Sequence, residues 1–171
     1  MLASNSLELS LVGVNLQDLS YLDRVAPNML DLLKVDFSQN MLESIDWLDQ
    51  FKQLKSIRAV RCFIRYVNLY LPRLQELDLR NNFIERMPSL RNMPNMQAIY
   101  LKANNMNELN LDFSSLNYAN MVNIDIRNNK NLTVSVAELR ELGRKLHKFK
   151  QLRFFNMEHK NLDLRSEEYK D

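Results

Sequence analysis

Glycine is almost missing from this chain. The 2 Gly and 4 Pro among 171 residues leave no flexible low-complexity tract and no Gly-rich loop to cradle a phosphate. A single cysteine, Cys62, cannot close an intramolecular disulfide, which points away from the disulfide-stapled folds of oxidising compartments. The 2 histidines, His147 and His159, do not stand at a metal-ligand spacing from another ligand type, so no metal or cofactor is expected. Nothing approaches the run of about 18 apolar residues that a membrane helix needs. Residues 1–19 also lack the basic start and unbroken apolar run of a secretion signal, since Glu8 interrupts them. Charge of one sign is scarce too: 23 Lys and Arg oppose 21 Asp and Glu. That balance argues against a general polyanion binder, while a pI near 8.7 leaves room for a local basic patch. The expectation is an intracellular protein, cytoplasmic or nuclear, or a secreted one if a leader has been removed.

What the chain has instead is a spacing. The stretch Leu74-Gln-Glu-Leu-Asp-Leu-Arg-Asn-Asn-Phe-Ile84 reads L-x-x-L-x-L-x-x-N-x-I, and it recurs in register on both sides. Its ninth place is filled by Val14, Asn40, Cys62, Asn82, Asn104, Asn129 and Lys160, at successive distances of 26, 22, 20, 22, 25 and 31 residues. Before each lies an apolar pair, Leu9/Leu11, Val35/Phe37, Ile57/Ala59, Leu77/Leu79, Ile99/Leu101, Ile124/Ile126 and Phe155/Met157. The L-x-L step has the strand period of two, not the three-to-four step of a helix.

This spacing resembles the leucine-rich repeat family, whose repeats run to about 20 to 29 residues. The resemblance implies an α/β solenoid, a right-handed horseshoe with a parallel sheet on its concave side and short helices or loops on its convex side. In such a repeat the fourth and sixth places point inward, and the ninth-place Asn turns its amide onto the backbone of neighbouring turns. One domain is expected over residues 1–171, with about seven repeats, a degenerate first repeat over about residues 6–19 and a C-terminal cap over about 132–171. Degenerate ends suit terminal turns, which have one face without a neighbour. Cys62 takes an Asn place, where a buried thiol makes a weaker form of the same backbone contact.

On the convex side Trp47, Leu48, Phe51 and Leu54 recur near one helical turn and predict a short helix or 3₁₀ piece. Pro27 with Asn28, and Pro88 with Pro94, mark turns. Met87, Met96, Met106, Met121 and Met157 fall on inward places, so the methionines read as core filler. After Asn129, Ser135 with Glu138 predicts a helix start, and Leu139, Leu142, Leu146 and Phe149 continue an amphipathic helix of about 14 residues. From Asn131 to Phe155 the order of features resembles the C-terminal cap of short intracellular leucine-rich repeat proteins, among them a spliceosomal one. Lys150 stands here in place of their usual Pro, and Phe155-Asn156 in place of Leu-Asp.

Catalysis finds little support. Asp36, Asp78 and Asp125 come from alternate strands, at least about 10 Å apart at a strand spacing of about 4.8 Å, too far to share a proton. A non-enzymatic adaptor or scaffold is the expected function, with a protein partner on the concave face. The fifth-place column reads Ser10, Asp36, Arg58, Asp78, Tyr100, Asp125, Asn156, and the seventh-place column Val12, Ser38, Val60, Arg80, Lys102, Arg127, Glu158. Arg80, Lys102 and Arg127 would form a basic stripe about 10 Å long beside Asp36, Arg58, Asp78, Tyr100 and Asp125. Such a face suits an acidic segment of a partner, with Tyr100 as anchor and Arg58 as a second. The competing reading is a solvated surface of cross-strand Asp and Arg pairs worth about 0.2 to 1 kcal/mol each.

Two alternatives stand beside it. Arg140, Arg144, Lys145, Lys148 and Arg153, with Lys150, make a basic patch on the cap that could contact RNA, with Phe154 beside it for stacking; the chain would then be a ribonucleoprotein component. The triplet Asn131-Leu132-Thr133 is a glycosylation acceptor by pattern, the one sign favouring a fragment of an extracellular innate-immune recognition protein.

Overall fold

The computed structural model describes residues 7–109, 120–146, 151–157 and 162–163. Each repeat contributes a three-residue strand: β1 (Glu8–Ser10), β2 (Lys34–Asp36), β3 (Ser56–Arg58), β4 (Glu76–Asp78), β5 (Ala98–Tyr100), β6 (Asn123–Asp125) and, after the cap helix, β8 (Phe154–Asn156). They form one parallel sheet in the order β1-β2-β3-β4-β5-β6-β8. Leu9, Val35, Ile57, Leu77, Ile99, Ile124 and Phe155 are successive register partners, so the fourth places of all seven repeats stand in one row. A one-residue slip would turn every one of them to the other face, which is why the pattern holds its register. A second, two-stranded sheet pairs β7 (Val134–Ser135) with β9 (Leu162–Asp163); nothing in the repeat spacing announces these two strands.

The fourth places Val35, Ile57, Leu77, Ile99 and Ile124 and the sixth places Phe37, Ala59, Leu79, Leu101 and Ile126 are buried, with Leu9 and Phe155 half-buried at the two ends of the row, and the returning Leu42, Ile45, Ile64, Ile84 and Met106 close the core behind them. Each such aliphatic side chain is worth about 1.5 to 3 kcal/mol when buried. Met96, Met106 and Met121 are buried and Met87 and Met157 pack on the core, as their inward places require. The convex side carries 3₁₀ turns at Ser20–Leu22, Ala26–Asn28, Asp46–Gln50 and Leu90–Asn92.

The ninth places tie the coils together. Asn82 donates through Nδ2 to the Ala59 carbonyl at 2.7 Å and the Leu79 carbonyl at 3.0 Å, while its Oδ1 accepts from the Ile64 N–H at 3.1 Å. Asn104 repeats the set on Leu79, Leu101 and Ile84, and Asn129 on Leu101, Ile126 and Met106. Asn40 does so on Leu11, Phe37 and Leu16. Cys62 keeps a weaker form of the set, with Sγ donating to the Phe37 carbonyl at 3.4 Å and the Leu42 N–H directed at the sulfur, and burial pushes its thiol pKa up. Val14, the ninth place of the first repeat, takes no part in this ladder, and 53 % of its surface is exposed. Lys160, the last of the series, lies outside the described residues.

Between strand and ladder the chain must turn sharply. The eighth places adopt the left-handed conformation: Gly13 at φ 67°, Gln39 at 60°, Arg61 at 58°, Asn81 at 56°, Ala103 at 58° and Asn128 at 58°. Glycine meets this without strain, as at Gly13, whereas a side chain costs about 1 to 2 kcal/mol there.

The cap helix α1 (Val136–Leu146) begins with a reciprocal box: the Ser135 N–H and hydroxyl both donate to Glu138 Oε2 at 2.8 Å, and the Glu138 N–H donates to Ser135 Oγ at 3.2 Å. Val136 and Leu142 are buried and Leu146 packs on the core, whereas Leu139 is exposed. Phe149, Lys150 and both histidines lie outside the described residues.

Replacing Asn104 by Ala should lower the unfolding free energy by about 3 kcal/mol, since it strands three buried backbone groups. Ala103→Gly should raise it by about 1 kcal/mol by relieving the left-handed φ. Urea unfolding of both variants checks the pair.

Candidate functional site

The residues left over by the fold are the third, fifth and seventh places on the open face of the sheet. In the fifth-place row Asp36, Arg58, Asp78, Tyr100, Asp125 and Asn156 are register partners across six strands. In the seventh-place row Arg80, Lys102 and Arg127 stand side by side, because the Asn81 N–H bonds the Lys102 carbonyl and the Ala103 N–H the Arg127 carbonyl, each at 2.9 Å. Both rows are assembled as the repeat spacing predicts.

The charges within them are arranged differently from a simple stripe. Arg80 folds back on Asp78, which precedes it by two residues on the same face, with Nε at 2.8 Å and Nη2 at 2.7 Å. Arg127 holds Asp125 in the same way, at 2.9 and 2.7 Å. The backbone N–H of each Arg also donates to the carboxylate it grips. Asp78 and Asp125 keep only 7 % and 6 % side-chain exposure, so these bidentate pairs are partly desolvated and geometrically fixed. Arg58 crosses strands instead, with Nε 3.6 Å from Asp36 and 4.0 Å from Asp78. The Lys102 side chain makes no hydrogen bond or ion pair among the described residues, though its charge reaches Asp125. Within the fifth- and seventh-place rows it is the cation left without an ion pair among the described residues.

The electrostatics follow. Burial works to raise the Asp125 pKa, but the Arg127 side-chain and backbone hydrogen bonds, with the Arg127 and Lys102 charges, outweigh it and hold the carboxyl below its ordinary range. The hydrogen bond to Asp78 raises Arg80. Burial, helped by the charges of Glu76 and Asp78, pushes the Tyr100 phenol up, so it stays a neutral donor at physiological pH. The Arg80 guanidinium lies 5.7 Å from the Tyr100 ring centroid and stiffens that side chain.

The third places, which sequence reasoning did not single out, add a groove of about 440 Å³ whose lining includes Glu76, Ala98, Tyr100, Asn123 and Phe154. Ala98 makes the dip: it sits in register between Glu76 and Asn123, both larger. Phe154, placed by sequence beside the basic cap, instead borders this groove and is largely exposed. The Asn123 Oδ1 is enclosed and, among the described residues, is the one such side-chain atom without a hydrogen-bond partner. The signal was available in the sequence as the residue before each inward fourth place.

The basic cap is only partly assembled. Arg140 and Arg144 lie on α1, Arg144 donates to Glu141 at 3.2 Å, and Arg153 precedes β8 on the exposed surface. The Lys145 side chain and Lys148 lie outside the described residues. Asn131 is exposed. Among the described residues no group of three His, Cys, Asp or Glu is placed to hold a metal ion, and no helix is long and apolar enough to cross a membrane.

A family model described as leucine-rich repeats, two copies, matches residues 72–118, the stretch that carries β4 and β5. No curated protein matches the chain.

A carboxylate held below its ordinary pKa stabilises the fold above its unfolded value, and that contribution is lost as pH falls through the lowered folded value. Wild type should therefore lose stability through the acid end of the carboxylate range. Asp125→Asn should flatten that part of the profile, as followed by thermal midpoints across pH.

Proposed function

We propose that this chain, a member of the leucine-rich repeat family, is a non-enzymatic intracellular adaptor that grips a protein partner on its concave sheet face. Repeats of this family generally mediate protein–protein interaction. The observation that carries the reading is the contrast within the face. Asp78, Arg80, Asp125 and Arg127 neutralise one another in place, whereas the Lys102 side chain has no ion pair among the described residues and stands two places on from Tyr100, which lines a groove with Asn123 and Phe154. Pre-paired charges cost a partner little to cover because they need no reorganisation.

The segment that fits is extended and acidic. A carboxylate of the partner meets Lys102, and a flat or aliphatic side chain lies between Tyr100 and Phe154. Tyr100 is the central anchor, amphipathic and held by Arg80, of the kind that dominates binding energy when buried. The intracellular part of the proposal rests on the lone, buried Cys62. Microscopy of the native gene product outside the cell would contradict it.

The paired arginines are poor test residues, since reversing either leaves a nearly buried Asp beside a like charge. Lys102→Glu and Tyr100→Ala are cleaner. Affinity capture from nuclease-treated extract should show one dominant protein bound by wild type and lost by both variants while they remain folded. Persistence of that protein in both would refute the sheet-face site. A partner lost on nuclease treatment alone, with steep salt dependence, would favour the ribonucleoprotein reading.

A further inference from the structure

A second exposed feature runs along a rim of the solenoid, one place beyond the asparagine ladder. Met41, Phe63 and Phe83 occupy the tenth place of three consecutive repeats, and the coils set them in line: the Met41, Phe63 and Phe83 N–H groups bond the Leu16, Leu42 and Ile64 carbonyls at 2.7, 2.9 and 2.9 Å. Their side chains keep 44, 45 and 38 % of their surface exposed. The Phe63 and Phe83 rings stack at 5.9 Å, only 8° from parallel. The scaffold does not demand apolar residues here, since Asn105, bonded in the same way to the Ile84 carbonyl at 3.0 Å, fills the tenth place of the next repeat.

At its N-terminal end the row opens into a cavity of about 610 Å³ whose walls include Met41, Trp47 and Phe63 together with Asp18 and Glu43. Trp47 is held there by its indole N–H, which donates to Asp23 at 2.6 Å, and by Phe51 at 5.0 Å between ring centroids. Asp18 spends one oxygen on the Ser20 N–H at 2.7 Å. Glu43 makes no hydrogen bond or ion pair among the described residues. Apolar walls with a carboxylate at the mouth match a lysine or arginine side chain, whose methylene stem prefers apolar surface and whose head prefers an anion. Beyond the cavity the stacked rings offer a flat apolar shelf, closed at its far end by Arg65, 5.8 Å from the Phe83 ring centroid.

We propose that this rim is a second docking surface, separate from the sheet face, and that it takes a protein segment with a basic side chain followed by an apolar one. The basic side chain enters between Met41, Trp47 and Phe63 toward Glu43 and Asp18, and the apolar one covers Phe63 and Phe83. The chain would then join two proteins, an acidic segment on the sheet face and a basic-apolar segment on the rim.

The chain contains 1 Trp, and it lines this cavity, so its fluorescence reports occupancy directly. A random-peptide phage library panned on wild type, with Phe63→Ser/Phe83→Ser as counter-selection, should enrich peptides that place Lys or Arg next to an aliphatic or aromatic residue. Synthetic copies should change Trp47 emission saturably. Glu43→Lys should weaken them by about tenfold or more, as reversal of one member of a charge pair does, while Lys102→Glu on the sheet face leaves the affinity as it is. That last comparison separates a failure here from a failure of the sheet-face reading. No enrichment, or peptides indifferent to Glu43→Lys, would overturn the proposal. So would concentration-dependent dimerisation of wild type that the double serine variant abolishes, since the rim would then be covered by a second copy.

Discussion

A side-chain amide that spans the gap between two coils is the interaction on which the rest of this structure depends. Strands of three residues give little pairing of their own, and each coil buries its apolar face only if the next coil lies in register. Asn40, Asn82, Asn104 and Asn129 supply that register. Each satisfies carbonyls of two successive coils and one N–H of the coil before it. All four are buried, where an unmet backbone group costs about 1 to 3 kcal/mol. The left-handed eighth place is a consequence, because the chain must reverse within one residue to bring the Asn inward.

Because inward places and the ladder carry the stability, the remaining places are free to differ from repeat to repeat. The sheet face uses that freedom for charge, with two carboxylates locked by arginines two residues further on in their own repeats, and for a dip at Ala98 between larger neighbours. The rim uses it for apolarity in three repeats and polarity in the next. Function on such a scaffold resides in these grafted positions and not in the fold.

The repeat was legible in the sequence because its period is rigid: an L-x-L step and an Asn three places later specify strand, inward pair and ladder together. The Ser135 and Glu138 cap of α1 was legible for the same reason, a fixed spacing between two side chains that must meet. Side-chain direction within the outward places was not. Spacing placed Arg80, Lys102 and Arg127 in one row, but that two of them turn back onto Asp78 and Asp125 depends on which neighbour each guanidinium reaches first. The groove was not legible because a dip is made by what is small, and Ala98 carries neither charge nor ring to mark it. β7 and β9 fall outside the repeat period, so no spacing foretold them.

Cys62 turns the ladder into a measurable comparison. The amide protons of Leu16, Ile64, Ile84 and Met106 each donate to an Asn Oδ1 at 2.9 to 3.1 Å, whereas Leu42, the equivalent residue below Cys62, faces a thiol. Native-state hydrogen exchange resolved at single amides tests the ladder most directly. Ile64, Ile84 and Met106 should exchange slowly and Leu42 measurably faster, with Cys62→Asn slowing Leu42 to match them. Equal protection at all of these sites in wild type would show that the amide bonds do not hold the coils together, and would contradict the dependence of the fold on them.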